Sequence, residues 1–199
     1  MKKKALPILV VCGLIVVIVA IMGITSLIRK YTPSKERQDL NTYYNISSDD
    51  QVAIVLNNEL IESQGKLIDG HVYLDYHFIH DTLNSRFYWD HNENILLYAT
   101  SQDLISAEAD STKYLITKSS VDYGRPIVKA NSDSAYVDLE FVKQYSDFSY
   151  EYIESPNRLI ITNEWGKYNV ATAKRKTYVR VKGGIKSPIL KKVSSKEEV

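Results

Sequence analysis

The chain has 199 residues and a formal net charge of +1, with 25 Lys and Arg against 24 Asp and Glu. Its one cysteine, Cys12, lies near the N-terminus, so the rest of the chain owes nothing to disulfide bonds. The balanced total hides a segregation of charge. Residues 1–30 carry five basic side chains and no acidic one, residues 31–166 have a net charge of −12, and residues 167–199 have a net charge of +8. Such blocks organise a chain without identifying its partner.

An uninterrupted apolar run extends from Ala5 to Ile24, after three lysines and shortly before Arg29 and Lys30. Twenty residues of α-helix span roughly 30 Å, the thickness of the hydrocarbon core of a bilayer. A cleaved signal peptide is the alternative, but its apolar region is usually about 7–15 residues long and ends at a small-residue cleavage site. We therefore expect residues 1–30 to form an uncleaved transmembrane signal-anchor.

Two further features bear on how this anchor is processed and oriented. Lipidation of Cys12 is disfavoured, because Val11 stands where that processing requires a small residue and the apolar run continues well beyond it. A single N-terminal span with a basic start usually leaves the amino end in the cytoplasm. We expect a bacterial plasma-membrane protein with a cytoplasmic N-terminus, a polar linker over residues 31–51, and an extracytoplasmic C-terminal part.

The part of the chain after the linker is similar to itself at an offset of 63 residues. Residues 71–97 align without gaps with residues 134–160, and the residue classes agree along the window. The identical pairs are Tyr73 with Tyr136, Asp75 with Asp138, Phe78 with Phe141, Asn94 with Asn157 and Leu96 with Leu159. Such periodicity indicates a repeated structural unit. We expect an α+β domain over residues 52–166, built from copies at 52–100 and 113–163.

Each copy predicts the same succession of elements: a strand pair, a short strand that ends at an aspartate, a helix capped by that aspartate, and a hairpin whose first strand is aromatic. In the first copy the predicted strands are 52–56, 59–61, 72–74, 86–90 and 95–99, and the helix is 76–83. In the second copy they are 114–117, 126–129, 136–137, 148–153 and 159–162, with a helix at 139–145. Two such copies provide enough chain to bury a shared core.

Three segments of the first copy form a recognisable pattern. The first is extended and leads into a helix start, the second is an aromatic strand and the third is an apolar strand. They read LIDGHVYLDY at 67–76, FYWD at 87–90 and NILL at 94–97. The pattern resembles the copper amine oxidase N-terminal-like domain of bacterial envelope proteins, and the resemblance covers about residues 52–163 in two copies. Where that family often has proline before its helix, this chain has Asp75 and Asp138. The resemblance implies a non-catalytic extracytoplasmic module, and we expect no cofactor.

The basic tail at 167–199 carries a second resemblance. TYVR at 177–180 and SPILKKV at 187–193 resemble the opening strands of a bacterial SH3-like cell-wall module, of which the tail has about half. Because half a barrel exposes strand edges, we expect either a longer parent protein or a tail that is not a complete barrel. Anchor, module and SH3-like segment in this order resemble the N-terminal part of membrane-anchored family 18 glycoside hydrolases, whose D-x-x-D-x-D-x-E motif these residues lack.

The chain offers little that predicts catalysis, so we expect no enzymatic activity. The only set of residues with metal-ligand character is His71, His77, His80 and His91. His77 and His80 are spaced to share a helix face, but the second copy does not repeat them, so surface histidines are favoured over a metal site. There is no glycine-rich phosphate loop, and the carboxylates show no spacing that marks a cleft for glycoside cleavage.

Aromatic and basic side chains are the better indicators of binding. The candidate glycan contacts are Tyr88, Trp89, Tyr150, Tyr152 and Trp165. Packing in a β-rich core is the alternative for these rings. The candidate contacts to anionic polymer, such as teichoic acid, peptidoglycan carboxylates or lipid headgroups, are Lys174, Arg175, Lys176, Arg180 and Lys182. A solvated basic face is the alternative for these charges.

Together these observations predict a non-catalytic, membrane-anchored module that binds or positions at the cell wall, as the front part of a cell-envelope glycoside hydrolase. The expected partners are the membrane and peptidoglycan or another anionic wall polymer. Nucleic acid would suit Lys and Arg, but an exported domain rarely meets it, so no nucleic-acid partner is expected. The alternative is an ectodomain that mediates protein–protein interaction with another membrane protein.

Overall fold

The computed structural model describes residues 5–131, 134–167 and 170–199, with the backbone alone for residues 5–9. Within this described part the chain forms two compact units. The helix–hairpin unit joins the N-terminal residues as far as Asp39 to the C-terminal segment that begins at Val170, and the sheet unit begins at Leu40. That the two ends of the chain share one unit is not predictable from the pattern of residues along the sequence.

The helices are α1 (Ala5–Tyr31), α2 (Leu40–Tyr43), α3 (Tyr76–Phe78), which continues as a π-helical turn over Ile79–Leu83, and α4 (Leu139–Gln144). The strands of the sheet unit are β1 (Gln51–Leu56), β2 (Glu59–Ile68), β3 (His71–Asp75), β4 (Phe87–Asp90), β5 (Ile95–Ala99), β6 (Leu104–Glu108), β7 (Lys113–Ile116), β8 (Ser119–Asp122), β9 (Val128–Ala130), β10 (Ala135–Asp138), β11 (Ser149–Ile153) and β12 (Arg158–Thr162). The helix–hairpin unit contains β13 (Thr177–Arg180) and β14 (Ile189–Val193). The fold is α+β, an apolar N-terminal helix followed by a largely β structure.

Among the described residues, α1 is the one helix long and apolar enough to cross a membrane, over the 22 residues of Val10–Tyr31. At about 1.5 Å of rise per residue it is roughly 33 Å long, enough for the hydrocarbon core. Its described apolar side chains lie outside the protein core. This is the composition of a membrane anchor or of a signal sequence.

The larger sheet of the sheet unit has, within the described residues, the strand order β11-β12-β1-β2-β3-β10-β9. Its strands pair antiparallel except β1 with β12, which run parallel with Ala53 opposite Arg158. The smaller sheet is an antiparallel meander in the order β4-β5-β6-β7-β8. The parallel pair therefore joins the first strand of the unit to its last.

One hydrophobic core is shared by both sheets. Buried side chains alternate along the strands, as in β5 and β12, so that one face of each strand contributes to the core. The largest fully buried side chains are Phe87, Phe141, Phe148, Ile54, Leu74, Ile79, Leu96, Ile127, Leu159 and Ile161. Because strands of both sheets contribute to this set, the two sheets and their short helices bury a common interior.

Several strand pairs have the same register when residue numbers are shifted by 63. Lys66 lies opposite Tyr73 in β2–β3, as Lys129 lies opposite Tyr136 in β9–β10. The hairpins β4–β5 and β11–β12 also agree, with Phe87 opposite Tyr98 and Tyr150 opposite Ile161.

The strands β3 and β10 pair with each other, and Leu74 lies opposite Val137, which is 63 residues later. On either side, Tyr73 lies opposite Asp138 and Asp75 opposite Tyr136. The register of this pair is therefore symmetrical: replacing each residue of β3 by its equivalent in β10, and each residue of β10 by its equivalent in β3, gives the same pairs.

The helix starts predicted after Asp75 and Asp138 are confirmed, because both carboxylates cap a helix. The predicted strand at 59–61 is too short, since β2 continues to Ile68, and β6 and β8 are additional strands that were not predicted. Neither β2 nor β8 shows a sustained alternation of buried and exposed side chains. Their pairing is determined by neighbouring strands, and local sequence does not show it.

Candidate functional site

A cleft of about 240 Å³ opens on the sheet unit, where the start of α3, the end of β4 and the start of β10 meet. Its described lining is Tyr76, His77, Trp89, His91, Ser134 and Ala135. Tyr76 and Trp89 are half-buried, and His77 and His91 are exposed. The cleft therefore combines two half-buried aromatic rings with two solvent-accessible imidazoles.

Asp75 determines where Tyr76 and His77 lie. Its Oδ1 accepts hydrogen bonds from the backbone N–H groups of His77 at 2.8 Å and Phe78 at 3.3 Å, so α3 begins at Tyr76. Phe78 is buried in the core, which fixes the rotation of this short helix. The centroid of the Tyr76 ring lies 5.3 Å from that of His77 and 5.7 Å from that of His80.

β4 and the turn after it determine where Trp89 and His91 lie. Trp89 is on the same face of β4 as the fully buried Phe87, because side chains alternate along a strand. Asp90 Oδ1 accepts hydrogen bonds from the backbone N–H groups two and three residues later, at 2.9 and 3.2 Å. This Asx-type turn holds His91 directly after the strand. Two aspartates thus help to position Tyr76, His77 and His91, and the strand β4 positions Trp89.

Aromatic faces beside imidazoles suit the binding of a sugar ring. The apolar face of a pyranose can pack on an aromatic ring, and its hydroxyl groups can exchange hydrogen bonds with imidazole nitrogens. The cleft is smaller than the roughly 300–1,000 Å³ of pockets for drug-sized ligands, so its size suits one ring at a time. Its described lining includes no carboxylate, whereas glycoside hydrolysis uses two, about 5–10 Å apart.

Of the five predicted glycan contacts, the structure brings Trp89 alone to the described lining of the cleft. Tyr88 lies on the opposite face of β4 and is 56 % exposed, and Trp165, after β12, is 57 % exposed. Tyr150 and Tyr152 lie on one face of β11, in the larger sheet, and pack against the core. The five rings therefore do not form one continuous surface.

The hydroxyl groups of the two β11 tyrosines have partners in the protein. Tyr150 donates to the Glu140 carboxylate, and Tyr152 donates to Asn157 Oδ1 at 2.9 Å. Burial, aided by the hydrogen bond to Glu140, raises the pKa of Tyr150 to about 12, and burial also raises the pKa of Tyr152. Both side chains thus behave as packed, hydrogen-bonded parts of the fold.

The sequence does not link His77 and His91 with Trp89, and it favours surface positions for these histidines over a metal site. Asp75 before the helix and Asp90 before the turn were the local signals for the positions of these rings. Ser134 and Ala135, however, come from the other copy of the predicted repeat, so local sequence does not show that they line the same cleft. Among the described residues no group of three or more His, Cys, Asp or Glu side chains is arranged to hold a metal ion.

Asp138 is the one buried charged residue in the described part of the chain, at 1 % exposure. Arg125 Nε donates to its Oδ2 at 2.8 Å, and the Tyr123 hydroxyl and Phe141 backbone N–H donate to its Oδ1 at 2.7 and 3.0 Å. The hydrogen bond to Asp138 raises the pKa of Arg125, and burial with that carboxylate raises the pKa of Tyr123. Because protein donors surround this carboxylate, its role is structural.

The predicted contacts to anionic polymer lie in one continuous segment of the helix–hairpin unit. They are Lys174, Arg175 and Lys176 before β13, Arg180 at its end, and Lys182 just after it. All are exposed except Arg180, which is half-buried. The Arg180 guanidinium donates to the backbone carbonyl of Ser187 and lies 5.8 Å from the centroid of the Tyr178 ring.

Comparison of the chain with models of protein families, with curated proteins and with solved structures gives no match in any of the three. The functional conclusion therefore depends on the geometry and chemistry of these residues.

Proposed function

We propose that this protein is a membrane-anchored, extracytoplasmic module of a bacterial envelope that binds cell-wall glycan and does not cleave it. In this proposal α1 is the anchor, with its N-terminus in the cytoplasm, and the sheet unit carries the binding site. The observation that carries the proposal is the cleft, where Tyr76 and Trp89 offer aromatic faces beside His77 and His91. The glycan strands of the wall supply sugar rings of the size that such a cleft takes.

The finer fold assignments are part of the same proposal. The sheet unit is proposed to contain two copies of a copper amine oxidase N-terminal-like unit, offset by 63 residues. The shared registers of the hairpins and the symmetrical pairing of β3 with β10 support this duplication. β13 and β14 lie within the two sequence segments assigned to the SH3-like module, which supports that part of the proposal. The order of elements is the one expected at the front of a family 18 glycoside hydrolase.

Binding to wall glycan can be tested with the full chain in lipid nanodiscs and purified sacculi from which teichoic acid has been removed. The wild-type protein is expected to sediment with the sacculi. A His77→Ala/His91→Ala variant is expected to bind about tenfold more weakly, because two hydrogen bonds of about 0.5–1.5 kcal/mol each are lost. Both histidines are exposed, so the variant should fold as the wild type does.

Tyr88→Ala is the matched control, because it removes an exposed ring from the same strand but from the opposite face. It is expected to leave sacculus binding unchanged. Wild-type binding by the double histidine variant, or a loss caused by Tyr88→Ala alone, would contradict the assignment of the cleft.

A second candidate function, interaction with another membrane protein, is favoured by the outer face of the smaller sheet. Tyr88, Leu97 and Leu115 lie in one row across β4, β5 and β7, and Leu104 is on the same face. Tyr88 and Leu104 are each more than half exposed. Exposed apolar groups on one face are typical of protein-binding surfaces. If sacculi bind neither wild type nor variants, this face becomes the better candidate.

A further inference from the structure

The C-terminal end of α1 is covered by the turn between β13 and β14. Lys186 Nζ donates to the backbone carbonyl oxygens of Arg29 and of Thr32, the latter at 2.6 Å. Carbonyl groups in the last turn of a helix have no partner within the helix, and a cation there also complements the helix dipole. Lys186 therefore caps α1 with a charge that comes from the far end of the sequence.

Backbone hydrogen bonds attach the rest of the hairpin to the segment that follows α1. The Ser34 N–H donates to the Ile185 carbonyl at 2.7 Å, and the Ile189 N–H donates to the Glu36 carbonyl at 2.8 Å. The Gln38 N–H donates a hydrogen bond to the Ile189 carbonyl at 2.9 Å. The hairpin is thus attached to the residues that directly follow α1, which ends at Tyr31.

The helix–hairpin unit is strongly basic where it emerges from the apolar stretch. Residues 29–39 and 170–199 together contain thirteen Lys and Arg and four Asp and Glu, a net charge of +9. Lys191 pairs with Glu197 at 2.7 Å. For the exposed Lys174, Arg175, Lys176 and Lys182, the described residues provide no ion-pair partner.

Aromatic and aliphatic side chains are interleaved with these charges. Tyr31 at the end of α1, Tyr178 on β13 and Ile185 in the turn are 66 %, 50 % and 44 % exposed. Tyrosine at the end of a membrane helix and lysine or arginine beside exposed apolar groups are typical of the membrane–water interface. An aqueous polymer would explain the charges, but it would not explain the exposed apolar groups at the helix end.

We propose that the segment 174–182 and the β13–β14 turn lie on the surface of the membrane that α1 enters and bind the phosphate groups of anionic phospholipids. This inference depends on the membrane anchor in the proposed function, but not on glycan binding or on the orientation of α1. The basic side chains act at short range, because charge interactions decay over about 8 Å at physiological ionic strength. Lys186 holds the turn, with Lys182 close to it in sequence, against the helix end, and β13 connects this turn to Lys174–Lys176.

The test uses the full chain with Cys12→Ala and a nitroxide spin label at Thr177→Cys, an exposed position within the segment 174–182. It is inserted into nanodiscs of phosphatidylcholine alone or with added phosphatidylglycerol. Phosphatidylglycerol is expected to lower the accessibility of the label to an aqueous nickel reagent about twofold or more at physiological salt. The effect should disappear at about 1 M salt, where the Debye length falls to about 3 Å.

Neutralising the basic segment with Lys174→Gln, Arg175→Gln and Lys176→Gln is expected to remove the lipid effect. The matched control, Arg86→Gln with Lys113→Gln and Lys118→Gln, removes as many exposed positive charges from the sheet unit and should leave the effect intact. Equal label accessibility in the two kinds of disc would overturn the proposal.

Two further outcomes separate this proposal from its alternatives. In the first, soluble poly(glycerol phosphate) is added to discs of phosphatidylcholine alone. If the polymer protects the label at a lower phosphate concentration than phosphatidylglycerol does, the segment binds a wall polymer and the lipid assignment is overturned. A chain that fails to enter either disc would overturn the anchor as well. A chain that enters both discs and shows no lipid effect overturns this inference alone.

Discussion

Asp75 and Asp138 show how one residue type serves two purposes at equivalent positions of the chain. Both cap a short helix through a backbone N–H two or three residues later. Asp75 is half-buried and helps to position the rings of the cleft. Asp138 is buried and also pairs with Arg125, so its charge is part of the core. The capping role follows from the sequence, whereas the ion pair depends on the fold of the loop between β8 and β9, which brings Arg125 to Asp138.

Replacing each aspartate by asparagine separates the two roles. Asparagine caps a helix about as well as aspartate does, so Asp75→Asn is expected to change the free energy of unfolding by less than about 0.5 kcal/mol. Asp138→Asn should lower it by about 2–3 kcal/mol, less than the roughly 3–5 of a fully buried pair because Arg125 is 27 % exposed. Urea unfolding of the full chain in detergent, followed by circular dichroism, measures both. Equal losses would show that Arg125 adds nothing beyond the cap.

Buried tyrosines make stability depend on alkaline pH. Burial, with the charge of Asp138, raises the pKa of Tyr73 from 10.0 to about 12, and its hydroxyl donates to the Pro126 carbonyl at 2.6 Å. The unfolded chain loses this proton near pH 10 and the folded chain near pH 12. The stabilisation is therefore complete below pH 10 and is lost as the pH rises towards 12.

The same unfolding experiment, repeated from pH 9 to pH 12, checks this expectation. Tyr73→Phe should be less stable than the wild type at pH 9, because the Pro126 carbonyl loses its donor. Its further loss of stability above pH 10 should be smaller than that of the wild type. Parallel pH profiles for the two proteins would show that Tyr73 does not titrate with unfolding.

At the scale of elements, local chemistry predicts more than long-range pairing does. The capped helix starts and the two aromatic hairpins follow from residues close together in sequence, and they lie where the sequence predicts them. The parallel pairing of β1 with β12 joins residues about a hundred positions apart. Sequence separation also explains why the cleft could not be predicted: Trp89 is a predicted contact, but Ser134 and Ala135, at the start of β10, are about 45 residues away in the sequence.

Gly65 shows how closely two strands of the larger sheet approach. A Cβ atom at this position would lie 2.9 Å from the backbone carbonyl oxygen of Tyr73 on β3, which cannot move without shifting the strand. Gly65→Ala is expected to lower the free energy of unfolding by about 1–3 kcal/mol. Gly183→Ala, in open space, is the control and should stay within about 0.5 kcal/mol of wild type. If Gly65→Ala changed the free energy of unfolding as little as Gly183→Ala, β2 and β3 would have to adjust freely to the added Cβ atom.

At the scale of the whole molecule, the sequence shows the segregation of charge but not where the basic tail lies. The tail is far from α1 in sequence, and its attachment depends on the hydrogen bonds that Lys186 makes with carbonyl groups of Arg29 and Thr32. Backbone acceptors of this kind leave no trace in composition. The charge block could therefore be predicted, and its attachment to the end of α1 could not.

The parallel pair β1–β12 has a mechanical consequence. Ala53 lies opposite Arg158 and Leu56 opposite Ile161, and Asn57 and Asn163 exchange hydrogen bonds of 2.7 and 3.1 Å. The chain enters the sheet unit before β1 and leaves it after β12, and in a parallel pair these two points are at opposite ends. Tension between them would pull the strands lengthwise past each other. The ladder would then carry the load in shear, with all its hydrogen bonds stretched together instead of opening one by one.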